Sequence, residues 1–350
     1  MFEPTVRDVM TSPRRFLLEL RAGSPFELLI ALSATSDERR SADEREWAPP
    51  LAAAPTPLRH ALARVGDSAG ETWLHLLGLA LESRTLDAAS FVDEVAGLDP
   101  LELRRHLLGA FVAAWQSLVG AETIERAARG EAQATRRLLA DDRYYGGRAR
   151  DALATLLPLT PAQTKRRLVT ALRAFERVLA PRERELVGTL EEDVRRRRAT
   201  VATAPPELVI AGATGGYAYE PEPEFTRVVL VPHLGAAPSL LLCQHRDARV
   251  ICYPAQRAAP DAAERVVRLG KALSDPVRVE MLRIVAAGEV SLTDLALRAG
   301  VAKSTAHHHL AALRAAGLVT VRGNARGYWY ALSLSGVAES RRLLAELASP

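Results

Sequence analysis

Lysine is nearly missing from this chain. Lys165, Lys271 and Lys303 are the only lysines among 46 basic residues in 350, and the other 43 are arginine. With so much alanine beside it, that bias reads as codon usage, so a pI near 9.3 means little until the charge is located. Cysteine is as scarce. Cys243 and Cys252 cannot build a disulfide framework for a chain this long, which points to a reducing cytosol. Long apolar runs are absent too. The longest uncharged stretch, 228–245, is broken by Pro232, His233, Gly235, Pro238, Ser239 and Gln244, which excludes a membrane span. Residues 1–8 lack the basic-then-apolar order of a signal peptide. A cytoplasmic protein with no membrane partner is expected.

Catalytic signatures are also wanting. There is no nucleophile elbow, phosphate-binding glycine loop or zinc-protease helix. Gly212, Gly215 and Gly216 lack dinucleotide spacing and run into Tyr217-Ala-Tyr219 rather than a helix. No paired-carboxylate or triad pattern appears. The expectation is a non-enzyme with no catalytic residues, no cofactor and no bound metal. The alternatives are an enzyme with its site in residues 1–260 or a protein-interaction module.

What is present is ordinary globular composition, 48% hydrophobic and 25% charged, in a length that suits two or three domains. The charge is unevenly placed. Residues 261–350 hold twelve basic and eight acidic residues, a surplus of four that equals the whole chain's net charge. Residues 1–260 are neutral. A short strand is predicted over 16–21. Ser24-Pro-Phe-Glu27 reads as a capped helix start, with Glu27 reaching back to complete a capping box. Residues 48–57 form a proline-rich connector. From 58 to 198, helical spacing predicts four to seven helices, one of them opened by a Thr160–Gln163 capping box. β-Branched blocks at 208–210, 227–231, 239–245 and 249–253, punctuated by Gly and Pro, predict a small antiparallel sheet. The fold class is α+β, mainly helical: a helical region over 1–205, a β-module over 206–258 and a third domain over 262–350.

That third domain carries the strongest pattern. Ser274 or Asp275 caps a helix with Pro276 in its first turn, ending at Gly288. A short helix follows Ser291, then the turn Ala299-Gly300-Val301, then a helix from Lys303 to Ala316 ending at Gly317. Strands over 318–321 and 328–332 flank a basic loop, and 337–347 forms a terminal helix. This order is a winged helix-turn-helix, whose third helix fits the major groove of B-DNA. Lys303, Ser304, Thr305, His307 and His308 cluster on its exposed first turns, while Ala306, Leu310, Leu313 and Ala316 face inward. Arg314 lies further along the helix, and Arg322, Asn324, Arg326 and Tyr328 belong to the wing; all are candidate DNA contacts.

The run Leu273-Ser-Asp-Pro-Val-Arg278, then Asp294-Leu-Ala and Ala299-Gly-Val301, then Lys303-Ser-Thr-Ala-His-His-His-Leu310 and Leu313 to Val319 resembles the ArsR family of bacterial transcription regulators. The resemblance covers about 80 residues and implies a cytoplasmic, homodimeric DNA-binding regulator, more a repressor than an activator. It implies double-stranded DNA as partner and dimerisation through terminal helices. The family's cysteine motif is missing from 290–295 and no His follows His309, so metal sensing is not implied. The front 260 residues resemble the helical-plus-β module fused to this domain in some actinobacterial-type regulators. A small-molecule effector or dimer contacts are expected there.

Four features admit more than one reading. His307, His308 and His309 are consecutive on a helix, point about 100° apart and cannot share an ion. His309 is expected to pack on the domain core. Cys243 would lie opposite Cys252, with His245 on the same face, if the hairpin turn is centred between Asp247 and Ala248. Buried filler is the plain reading there, a thiol pair or three zinc ligands the others. Arg195, Arg196, Arg197 and Arg198 read as a solvated helix end rather than a second DNA contact. Tyr144 and Tyr145 anchor a helix connection or line a ligand cavity.

Overall fold

A computed structural model of the chain describes residues 16–36, 56–65, 70–147, 149–256, 262–324 and 327–347. Strand β1 (Leu17–Leu20) leads into helix α1 (Ser24–Ser36), which is apolar on nearly every side. Such a helix is stable only when enclosed, and Leu28, Leu29 and Ile30 are wholly buried. The enclosing helices are α2 (Thr56–Ala63), α3 (Glu71–Leu74), α4 (Leu77–Glu82), α5 (Ala88–Gly97), α6 (Pro100–Leu107), α7 (Ala113–Val119), α8 (Ala121–Ala128), α9 (Ala132–Ala140), α10 (Arg150–Leu156), α11 (Pro161–Leu179) and α12 (Glu183–Val201). Among the described residues, eleven helices thus occupy the region where four to seven were predicted, because periodicity survives breaks of one or two residues.

The Thr160–Gln163 capping box forms in both directions. The one predicted at Ser24 does not. Glu27 is fully buried and accepts the backbone N–H groups of Leu234 and Gly235 at 2.9 and 2.6 Å, pinning a distant loop to α1. Gly235 is there because a Cβ would stand 2.7 Å from that of Ala31.

The predicted strand at 208–210 is a helix, α13 (Pro206–Thr214). Pro206 opens it and the left-handed Gly215 closes it, and these ends outweigh the β-branched interior. Strands β2 (Tyr217–Tyr219), β3 (Arg227–His233), β4 (Leu241–His245) and β5 (Ala248–Pro254) follow. The sheet is mixed, in the order β1-β3-β5-β4, with only β4–β5 antiparallel. Residue parity then divides its faces. Val229, Val231, Val250 and Cys252 enter the core of the helical body, while Val228, Leu230, Ile251 and Tyr253 enter a second core shared with the C-terminal elements.

Those elements are α14 (Ala262–Leu273), α15 (Pro276–Ala286), β6 (Val290–Ser291), α16 (Leu292–Arg298), α17 (Lys303–Ala315), β7 (Val319–Asn324), β8 (Gly327–Leu332) and α18 (Leu334–Leu347). Asp275 caps α15, Ser291 caps α16, and Gly300 takes the left-handed turn before α17 at φ 68°. The helix-turn-helix and its wing form as predicted, while α14, β6 and the extension of β7 to Asn324 were not expected. Strand β2 pairs in parallel with β7, giving the sheet order β2-β7-β8-β6, so the front of the chain supplies a fourth strand to the wing. No helix among the described residues is long and apolar enough to cross a membrane.

Candidate nucleic-acid interface and the cavity behind it

On α17, Lys303, Ser304, Thr305 and His307 are exposed and His308 is half-buried. Ala306, Leu310 and Leu313 are buried beneath them. His309 is half-buried with Nδ1 3.7 Å from the Asp275 carboxylate, and partial burial lowers its pKa. Arg314 departs from the expectation of a DNA contact. It is 8% exposed and donates to the Pro238 carbonyl at 3.2 Å, because the C-terminal half of α17 packs against the front of the chain.

In the wing, Arg322 is exposed but already met by two carboxylates, Glu289 at 2.6 Å and Glu220 at 3.4 Å. Tyr328 is 44% exposed and its ring lies over Gly323, where a Cβ would come within 2.4 Å of it. Asn324 ends β7. Its side chain, and Arg326, lie outside the described residues.

Behind α17 lies a cavity of about 600 Å³, within the size range of small-molecule sites. One wall is His75, Trp115 and Tyr145 of the helical body; the floor includes Cys243 and Arg249; Tyr217, Tyr328 and Tyr330 add aromatic surface. The opposite rim is Lys303, Ser304, His307 and His308. Lys303, Ser304, His307 and His308, four of the predicted DNA contacts, therefore border a pocket in their own chain. Of the two tyrosines that sequence left open, Tyr144 anchors the helix connection through a 2.6 Å bond to the Leu108 carbonyl, and Tyr145 lines the cavity. Tyr145 has φ 49°, an outlier for a bulky side chain, and its ring stacks on His75 with centroids 3.3 Å apart. Burial drives the His75 pKa down to about 3, so the ring is neutral. Its Nδ1 lies 2.7 Å from the Leu107 carbonyl, to which it donates, leaving Nε2 a buried acceptor with no partner among the described residues.

The hairpin register differs from the expected one. His245 pairs with Ala248 around the two-residue turn Arg246–Asp247, so Cys243 faces Val250 and Cys252 faces Leu241. The turn sits one residue earlier because Arg246 adopts left-handed backbone (φ 51°) and its N–H bonds to the Phe111 carbonyl. Both thiols are free, and burial pushes the Cys243 thiol up to about 12 and raises that of Cys252 well above its ordinary value. His245 turns instead toward Glu82 at the end of α4 and His106 in α6. Its Nε2 is 2.8 Å from Glu82 Oε1, and His106 Nε2 is 3.5 Å from Glu82 Oε2. Burial lowers the pKa of both histidines, to about 4 for His106. Glu82 is held below the usual carboxylate range: burial opposes this, but hydrogen bonds from His245 and Arg246 prevail.

The arginine run is less solvated than expected. Arg195 pairs with Glu192, while Arg196 and Arg197 close on the buried Asp193, which also accepts from the Tyr253 hydroxyl at 2.6 Å. Sequence reasoning missed His75, His106 and Glu82. They carry no motif: Glu82 and His106 meet His245 only in the folded chain, and His75 reaches the cavity stacked on Tyr145.

Residues 273–322 match a family model described as a helix-turn-helix domain. No curated protein sequence matches the chain. Among solved structures, reduced HlyU from Vibrio cholerae is 32% identical, covering 25% of this chain and 93% of its own, with a TM-score of 0.21. The transcriptional repressor BigR from Xylella fastidiosa is 30% identical over 24% and 83%, TM-score 0.20. A homodimeric winged helix-turn-helix DNA-binding domain from Mycobacterium bovis, described as a possible ArsR-family transcriptional regulator, is 29% identical over 27% and 90%, TM-score 0.22.

Proposed function

The chain belongs, through its C-terminal quarter, to the ArsR-type winged helix-turn-helix regulators, and from that premise we propose that it is a homodimeric repressor whose DNA binding is controlled by a small molecule held in the cavity behind α17. The observation that carries this reading is the shared position of Lys303, Ser304, His307 and His308. They occupy the first turns of the reading helix and the rim of the cavity at once. A groove-inserted helix has to present those residues to base edges, and the same residues line the cavity here. An occupant of the cavity and a DNA duplex would thus each alter what the other meets, which is a coupling between two sites. The aromatic walls, the charged groups among them, and a His75 Nε2 without a partner among the described residues suit a planar molecule that carries polar groups, one of them a hydrogen-bond donor.

For the dimer, Val337 and Leu344 stand seven residues apart on one face of α18 and are 41% and 51% exposed, with Leu334 (77%) beside them. Helix α14, packed on α18, adds Val267 at 57%. A second copy of the chain covering these residues would match the family's use of its terminal helices. Domain limits at 205 and 262 remain the proposed division.

The test is selection. Purified protein is mixed with sheared DNA from its source and the retained fragments are sequenced. Enrichment of a two-fold symmetric site, with half-sites about 34 Å apart, is expected. Retention without sequence preference would overturn the reading.

A further inference from the structure

We infer that Glu82, His106 and His245 form a binding site for one divalent transition-metal ion of the zinc class, on the wall of the cavity. The three residues come from α4, α6 and β4, and one ligand atom from each lies within 4.8 Å of the others. Two imidazoles and a carboxylate are a donor set that such ions favour. Ligand atoms bound to a tetrahedral ion at about 2.0–2.1 Å stand about 3.4 Å from one another. The 3.5 Å between His106 Nε2 and Glu82 Oε2 is too long for a good hydrogen bond but suits such a bridge. The 2.8 Å hydrogen bond between His245 Nε2 and Glu82 Oε1 is the one an ion would replace.

The surroundings are built to hold this arrangement. Gly78 gives the His245 ring its place, since a Cβ there would lie 2.3 Å from Nδ1. Arg246 donates to Glu82 Oε1 at 2.7 Å and rests on the Phe111 ring, fixing the carboxylate while Oε2 stays turned to His106. A further carboxylate, Glu102, has Oε1 3.8 Å from His106 Nε2. Both histidines line the cavity, so an ion between them is reachable from it. The cysteines lie outside the set, and this separates the site from the Cys243–His245–Cys252 grouping that the sequence alone suggests. The inference does not rest on DNA binding, and a metal titration reads it alone.

Untagged full-length protein, stripped with a chelator, is titrated with Co²⁺ while the visible spectrum is followed, and with Zn²⁺ in competition with a chromogenic chelator. One ion per chain is expected, giving ligand-field bands without a thiolate charge-transfer band. His106→Gln and His245→Gln should each weaken binding by more than the ~10–100-fold that losing a supporting hydrogen bond to a ligand costs. Glu82→Gln, on a partly exposed side chain, should also weaken it and tests the site if the histidine variants fail to fold. Cys243→Ser and His307→Ala/His308→Ala should bind as the parent does. A protein that takes up no ion would overturn the site. So would binding unchanged by Glu82→Gln, or binding lost with Cys243→Ser.

Discussion

Three residues show how local chemistry decides this fold. His75 is held neutral in the native state, with its pKa pushed down by burial from 6.5 to about 3. The unfolded chain therefore binds a proton that the folded chain refuses. Stability is full above pH 6.5 and falls as pH drops through the window from 6.5 to about 3. At about 1.4 kcal/mol per pH unit, the loss by about pH 5 is about 2 kcal/mol. Urea unfolding of the parent and of His75→Phe at about pH 7.5 and about pH 5 checks this, the variant losing less. Glycines give a second contrast. A methyl at Gly235 meets Ala31 and Glu27 inside 3.0 Å, whereas one at Gly188, inside α12, meets nothing within 4 Å. Gly235→Ala should cost about 1–3 kcal/mol, and Gly188→Ala should gain about 0.5–1 kcal/mol. Both are read by the same unfolding experiment.

Elements with strong ends were legible in the sequence. The caps at Asp275, Ser291 and Thr160, the turn at Gly300 and the inward stripe on α17 all stand where the pattern put them. These are local signals, each satisfied within four residues. What sequence misread depends on distant partners. Glu27 abandons its own helix start for Leu234 and Gly235, some 207 positions away. The β4–β5 register turns on a bond from Arg246 to Phe111, and the pairing of β2 with the wing has no local signature. Most of the candidate interface was legible because it lies on one short helix and a hairpin. The cavity was not, since its lining is gathered from segments spread between Ser33 and Tyr330. At this scale the dimer is the prediction. Val337→Glu/Leu344→Glu on α18 should convert a dimer to a monomer in sedimentation while leaving the helical content unchanged. A parent that is already monomeric at micromolar concentration would contradict the proposed interface.

Considered whole, the molecule is a neutral helical body joined to a basic end by a continuous core and a shared sheet. The charge surplus of four looks small for a DNA-binding protein, and the structure lowers its free portion further, because Glu220 and Glu289 occupy Arg322. Any phosphate at that position has to displace them. Exposed pairs of this kind are worth about 0–1 kcal/mol, so Glu220→Gln/Glu289→Gln should tighten DNA binding by about two- to five-fold, read by fluorescence anisotropy. The central claim is that α17 and the wing read DNA, and its most direct test is the salt dependence of binding to a selected duplex. Full-length parent and Lys303→Ala/Arg322→Ala are compared by anisotropy across a salt series. The account predicts affinity at least about ten-fold lower in the variant, and a log–log salt slope shallower by about two per chain. Equal affinity and an equal slope in the two proteins would contradict it.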